Sequence, residues 1–159
     1  MSQSDVRDAG PRDVDPLALE RQVCFALAVT QRSVLAVYRP LLEPMGLTHP
    51  QYLVMLALWE RSPLSVKDLA AALQLDSATL SPLLKRLASA GLISRTRDRA
   101  DERVLKIELT AAGRALRQRA EQIPPAVVAR LGVEIAELEA LHAVLTRVNA
   151  AALAAAERR

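Results

Sequence analysis

The chain of 159 residues holds one cysteine, Cys24, which rules out an internal disulfide framework. No Cys-x-x-Cys or mixed Cys/His spacing offers a zinc site, and no cofactor is implied. Aromatic residues make up only 3% of the chain, so leucine, alanine and valine must do the packing. The longest uninterrupted apolar run, Tyr52 to Trp59, is far too short to span a bilayer. The N-terminus lacks the basic start and apolar core of a signal peptide. Together these shortages predict a soluble protein of the cytoplasm.

What is present is ample for a core. Apolar residues reach 51%, and the length suits one ordinary domain or a small domain with a helical arm. Residues 1–13 are polar and broken by Gly10 and Pro11, which predicts a disordered tail. From Pro16 the pattern turns helical, with Leu17, Arg21, Cys24, Leu27 and Ala28 along one side, and Val34, Val37 and Tyr38 leading toward Pro40. Pro40, Pro44 and Gly46 punctuate a short element holding Leu41 and Leu42. Thr48 and Gln51 then stand at capping-box spacing with Pro50 between them. The helix they open is apolar nearly all round and should be the buried centre. It ends at Arg61-Ser-Pro63, and Ser65 with Asp68 starts the next helix in the same manner.

Residues 65–110 organise the chain, reading as helix, turn, helix and charged hairpin. In the second helix Leu80, Leu83, Leu84 and Leu87 form one buried stripe. The opposite face carries Ser77, Thr79, Ser81, Lys85 and Arg86, which are small, hydroxylated or basic. Such a face can lie against a polyanion and offer hydrogen bonds to base edges. Residues 77–110 hold seven Lys or Arg against four acids, whereas the rest of the chain balances at fourteen of each. The excess positive charge is therefore local, as at a groove-binding surface. A solvated helix with an ordinary hairpin, or a protein-docking module of the same layout, would also produce this pattern.

Pro82 sits awkwardly in that helix, removing the bond to the Ala78 carbonyl at a cost of roughly 3 kcal/mol in a regular interior. We expect the helix to start at Asp76 or Ser77 and tolerate it, because a start at Ser81 leaves Thr79 and Leu80 in a linker without turn residues. After the hairpin, Thr110-Ala-Ala-Gly113 opens a helical region that Pro124-Pro125 should break. A final run repeats Leu138, Leu141, Leu145 and Val148. These terminal helices need a cover for their apolar faces: a two-fold homodimer, or else the chain's own domain.

In this order the elements resemble the MarR family of winged-helix regulators. Asp98-Arg-Ala-Asp101-Glu-Arg103, followed by Val104 to Gly113, looks like that family's wing signature. The blocks Cys24-Phe-Ala-Leu27, Tyr38-Arg-Pro-Leu-Leu42, Leu47 to Leu53 and Leu75 to Leu87 are similar to its OhrR subgroup, the organic-hydroperoxide sensors. The subgroup keeps a proline at the place of Pro82. The resemblance implies a mostly α fold with a small β-hairpin wing. Residues 14–46 and 111–159 would form dimerisation helices around a winged helix-turn-helix part at 47–110. It further implies a dimeric repressor on double-stranded DNA, released when Cys24 is oxidised by organic hydroperoxide. Tyr38 matches one of two tyrosines that hydrogen-bond the sulfur. The second falls at His49, and the aromatic usual four residues after the cysteine is replaced by Ala28.

A lone cysteine on a helix is more often a buried, inert hydrophobe than a reactive thiol. Were Cys24 reactive, Tyr38 and His49 could each donate a hydrogen bond to it, His49 more strongly if protonated. His49 could equally face solvent at a helix start. A sulfenic acid at Cys24 has no second cysteine to trap it, so a mixed disulfide with a low-molecular-weight thiol, or over-oxidation, would follow. On DNA, Ser77, Thr79 and Ser81 would contact bases or phosphates, and Lys85 and Arg86 phosphates. Arg97, Arg99 and Arg103 would enter the minor groove of a pseudo-palindrome. Asp101 could instead pair with Arg103 and brace the hairpin. Two other functions compete: a regulator answering to a small phenolic or aromatic ligand with Cys24 passive, and a thiol peroxidase. The peroxidase lacks a resolving cysteine.

Overall fold

The computed structural model describes residues 15–158, so the tail expected at 1–13 lies outside the described residues. The chain forms two compact units, one ending at Leu35 and the other beginning at Ala36.

In the first unit the helix expected from Pro16 starts later. A single 3-10 turn, Leu19–Arg21, precedes α1 (Val23–Leu42). Ala18 and Gln22 on either side of the turn have extended ψ values of 124° and 119°, which interrupts the helical ladder. The Gln22 side-chain amide donates to the Pro16 carbonyl at 2.8 Å, taking up an acceptor that no helix satisfies. Leu17, Leu19, Val23, Phe25 and Leu27 are all exposed, as is Cys24. Pro40, expected to punctuate the chain, lies within α1, which runs on to Leu42. So near the helix end it forfeits one hydrogen bond and interrupts little else.

The second unit carries the core. A 3-10 turn at Glu43–Met45 ends at Gly46 with φ +69°, a left-handed conformation that glycine adopts without steric cost. Helix α2 (His49–Glu60) follows with its capping box formed: Gln51 N–H donates to Thr48 Oγ1, and Thr48 N–H to Gln51 Oε1. Then come β1 (Leu64–Ser65), α3 (Val66–Leu73), α4 (Ser77–Ser89), β2 (Ile93–Arg97), β3 (Leu105–Leu109), α5 (Ala111–Ala120), α6 (Ile123–Leu131) and α7 (Ile135–Glu157). The fold is mostly helical with a small antiparallel sheet, as expected. The sheet has a third strand that the sequence did not reveal, in the order β1-β3-β2, pairing Leu64 with Ile107. Two residues are too few to show alternation.

Leu42, Val54, Met55, Leu58, Leu69, Leu80, Leu84, Leu87 and Ile107 are almost wholly buried in one cluster. Each contributes roughly 1.5–3 kcal/mol by leaving water. Helix α2 is central, but it is not covered all round: Leu53 and Leu56, three residues apart, remain exposed. Pro124 and Pro125 do not break a helix. They stand in the first turn of α6, where a missing N–H costs nothing. Helix α7 has no buried residue, and its Leu141, Val144, Leu145 and Val148 are exposed.

Candidate functional site

Helix α4 begins at Ser77, with Pro82 inside it. Asp76 is its N-cap: one carboxylate oxygen accepts from the Thr79 N–H at 2.6 Å. Hydrogen bonds from the Thr79 N–H, and then from its side chain, hold the Asp76 carboxyl below the usual carboxylate range. The other end closes on Gly91, at φ +73°, with Leu92 N–H donating to the Leu87 carbonyl and Gly91 N–H to that of Ala88. Fixed at both ends, the helix buries Leu80, Leu84 and Leu87 and half-buries Leu83. Ser77, Thr79, Ser81, Lys85 and Arg86 all stand exposed on the other side. Among the described residues nothing covers that face.

The hairpin β2–β3 is pinned mostly by its acids. The Asp98 carboxylate forms an ion pair with Lys106 and also accepts from the Ala100 N–H at 2.8 Å. The bond from Lys106, chief among these, keeps the Asp98 carboxyl below its usual range. Asp101 accepts from the main-chain N–H of Arg103 at 3.0 Å, and its carbonyl accepts from Val104. The brace expected between Asp101 and Arg103 therefore runs through the backbone, leaving the guanidinium out. Arg97, expected with the groove-entering arginines, donates from Nη1 to the Glu102 carbonyl at 2.8 Å and spans the tip. Among the described residues the side chains of Arg99 and Arg103 make no hydrogen bond or ion pair.

One junction ties this hairpin to the helices. Thr110 caps α5, accepting from the Gly113 N–H at 3.0 Å and donating to the Gly91 carbonyl at 2.6 Å. Its own N–H donates to the Leu92 carbonyl, and Trp59 Nε1 donates to the Gly113 carbonyl at 2.8 Å. A Cβ at Gly113 would fall 2.0 Å from the Leu92 oxygen. No spacing along the sequence signals this approach, because its partners lie far apart in the chain.

Tyr38, late in α1, and His49, the first residue of α2, bring their rings edge to face at 4.9 Å between centroids. Tyr52 and Trp59 extend the cluster. His49 is half-buried, and burial lowers its pKa, so the neutral imidazole prevails at neutral pH and the imidazolium weighed from the sequence is disfavoured. The neutral form contributes stability that is present above an unfolded pKa near 6.5 and lost as pH falls through the lower folded value. A His49 ring-proton NMR titration should have its midpoint below 6.5. A midpoint at or above that figure would contradict the burial. Cys24 itself is exposed.

Alongside α2, Tyr52, Leu56 and Trp59 face Arg117, Ala120 and Pro124 across a half-open groove of about 330 Å³. Among the described residues no three His, Cys, Asp or Glu side chains cluster as metal ligands, and no helix is long and apolar enough to cross a membrane.

Residues 47–105 match the model of the MarR family. The chain is 46% identical over 127 residues to the HTH-type transcriptional regulator TtmR of Methylorubrum extorquens, covering 80% of this chain and 65% of that one. It is 44% identical over 114 residues to the organic hydroperoxide resistance transcriptional regulator of Bacillus subtilis, covering 72% of this chain and 78% of that one. Among solved structures, reduced AbfR bound to DNA is similar with a TM-score of 0.70 at 31% identity, over 85% of this chain and 94% of that one. Both sequence relatives are named as transcriptional regulators, and the structural neighbour is bound to DNA. This chain belongs to the MarR family and is a DNA-binding transcriptional regulator.

Proposed function

We propose that the protein is a homodimeric repressor that leaves its operator when organic hydroperoxide oxidises Cys24. The observation that carries the reading is the Tyr38–His49 pair, two side chains from different helices whose ring centroids lie 4.9 Å apart. With it go an exposed sulfur and 44% identity to a regulator named for organic hydroperoxide resistance. The uncovered apolar stripe of α7 supports a two-fold partner. The thiolate attacks a peroxide oxygen, the O–O bond breaks, and the alcohol leaves with a proton. Sulfur, oxidised by two electrons, becomes a sulfenic acid. A low-molecular-weight thiol then condenses with it, forming a disulfide and releasing water. The bulk added to the dimer favours a state in which the two α4 helices no longer fit the DNA. Anisotropy on a labelled duplex from beside the protein's own coding region should fall when cumene hydroperoxide is added; unchanged binding would discard the reading.

On DNA, two α4 helices roughly 34 Å apart fit successive major grooves of a pseudo-palindrome. Ser77, Thr79 and Ser81 then meet bases or phosphates, and Lys85 and Arg86 meet phosphates. Arg99 and Arg103 reach the minor groove while Arg97 holds the tip. Replacing Arg99 or Arg103 with Ala should flatten the log–log salt slope of binding by about 0.9 for each phosphate no longer neutralised. Arg97→Ala should leave the slope nearer the parent's. Equal slopes in all three would discard this division of roles.

A second reading rests on the groove beside α2. Tyr52, Leu56, Trp59 and Ala120 give it apolar walls, and Glu60 with the Arg117–Glu121 ion pair lines its rim, which suits a small neutral phenolic or aromatic ligand, with Cys24 passive.

A further inference from the structure

The turn between α3 and α4 sets how the reading helix is presented, and it is built in an uncommon way. Gln74 occupies its left-handed position, at φ +51°, where glycine is the usual residue. Its N–H donates to the Ala71 carbonyl, and the next N–H, of Leu75, donates to that of Ala70. Asp76, the α4 cap, follows directly. The Gln74 side-chain oxygen accepts from Asn149 Nδ2 at 3.1 Å, across a separation of 75 residues. Among the described residues this is the one hydrogen bond from α7 to another element. Helix α7 buries no residue of its own, so no shared core ties it to the reading motif and the exposed amide pair is the polar link between them.

We infer that Gln74 and Asn149 are positioning residues, an amide strut through which α7 fixes the attitude of the helix-turn-helix on DNA. The core packing of Leu69, Leu80, Leu84 and Leu87 fixes α3 and α4 within their own domain, but not the setting of that domain against α7. Tethered to α7 through the amide pair, the motif is set against whatever holds α7. This rests on the two-fold dimer proposed above, in which α7 lies at the seam and the strut relates the two α4 helices to one frame. Neither residue needs to touch DNA. Their effect is on the distance between half-sites.

The test uses the full chain, kept reduced and without peroxide, on duplexes whose half-sites are separated by the native spacer or by one base pair more or fewer. Asn149→Ala, at an exposed helix position where Ala is favoured, should weaken binding to the native spacing by roughly fivefold, about the net worth of one hydrogen bond. It should weaken binding to the altered spacings less, flattening the preference. Gln74→Ala should do the same, and the double variant should be no worse than either single one. The swap Gln74→Asn with Asn149→Gln keeps both amides and a similar reach, and asparagine suits the left-handed position. It should restore the preference. Equal weakening on every spacing, additive losses, or no loss at all would overturn the strut. Sedimentation equilibrium of the parent separates the two claims. A monomer sinks the dimer reading and the strut with it, whereas a dimer with spacing-blind variants sinks the strut alone.

Discussion

Gly113→Ala should destabilise the protein by about 3 kcal/mol, at the upper end for overpacking, because the clash is with main chain. The added carbon would lie 2.0 Å from the Leu92 oxygen and 3.3 Å from a Leu109 methyl. That oxygen cannot retreat freely. It accepts from the Thr110 N–H at 3.1 Å, and Thr110 is itself committed to Gly91 and Gly113. Relief must therefore pull α5 from the end of α4 or open the hairpin base, and Trp59 would lose its acceptor. For a domain of this size the melting temperature should fall by roughly 6–12 °C. Gly91→Ala is the control. Its φ of +73° strains alanine, but its added carbon meets open space. That variant should lose only about 1 kcal/mol. Equal losses in the two would remove the clash argument.

Cys24→Ser should leave DNA affinity in reductant within about twofold of the parent's and abolish release by cumene hydroperoxide. In the parent, release of about 100-fold corresponds to roughly 2.7 kcal/mol between the two dimer states. A serine hydroxyl is no nucleophile toward peroxide at neutral pH, and Cys24 is the only cysteine, so no other thiol can substitute. Intact mass measured alongside should show an added oxygen, then its replacement by a disulfide-linked thiol less its hydrogen, on the parent only. A serine variant still released by hydroperoxide would end the sensor reading. One released like the parent by small phenolic ligands, but not by hydroperoxide, would leave sulfur chemistry intact and add the α2 groove as a second input.

Much of the reading motif was legible because it is local. The leucine stripe of α4, the Thr48–Gln51 box and the tolerance of Pro82 each follow from residues within a turn or two of one another. Prolines misled wherever a helix end decides their cost: Pro40 is carried in the last turn of α1, and Pro124-Pro125 open α6 instead of ending α5. The two-residue β1 was too short to announce itself. The wing's charges could be counted, but not how each is spent: Arg97 on the Glu102 carbonyl, Asp101 on an N–H, Lys106 on Asp98. For Tyr38 and His49, resemblance gave the names, and only the fold gave their ring-to-ring approach. The Gly113–Leu92 and Gln74–Asn149 pairs join distant segments, and no periodicity records such meetings.

The split of α4 into a leucine side that holds the fold together and an exposed hydroxyl-and-cation side that, Thr79 at the cap aside, carries little of it has a bearing on ancestry. Mutations at 77, 81, 85 or 86 are nearly free of folding penalty, so on the proposed reading a duplicated copy can drift to a new operator while its scaffold stays put. Divergence of address without divergence of architecture is what such a helix permits.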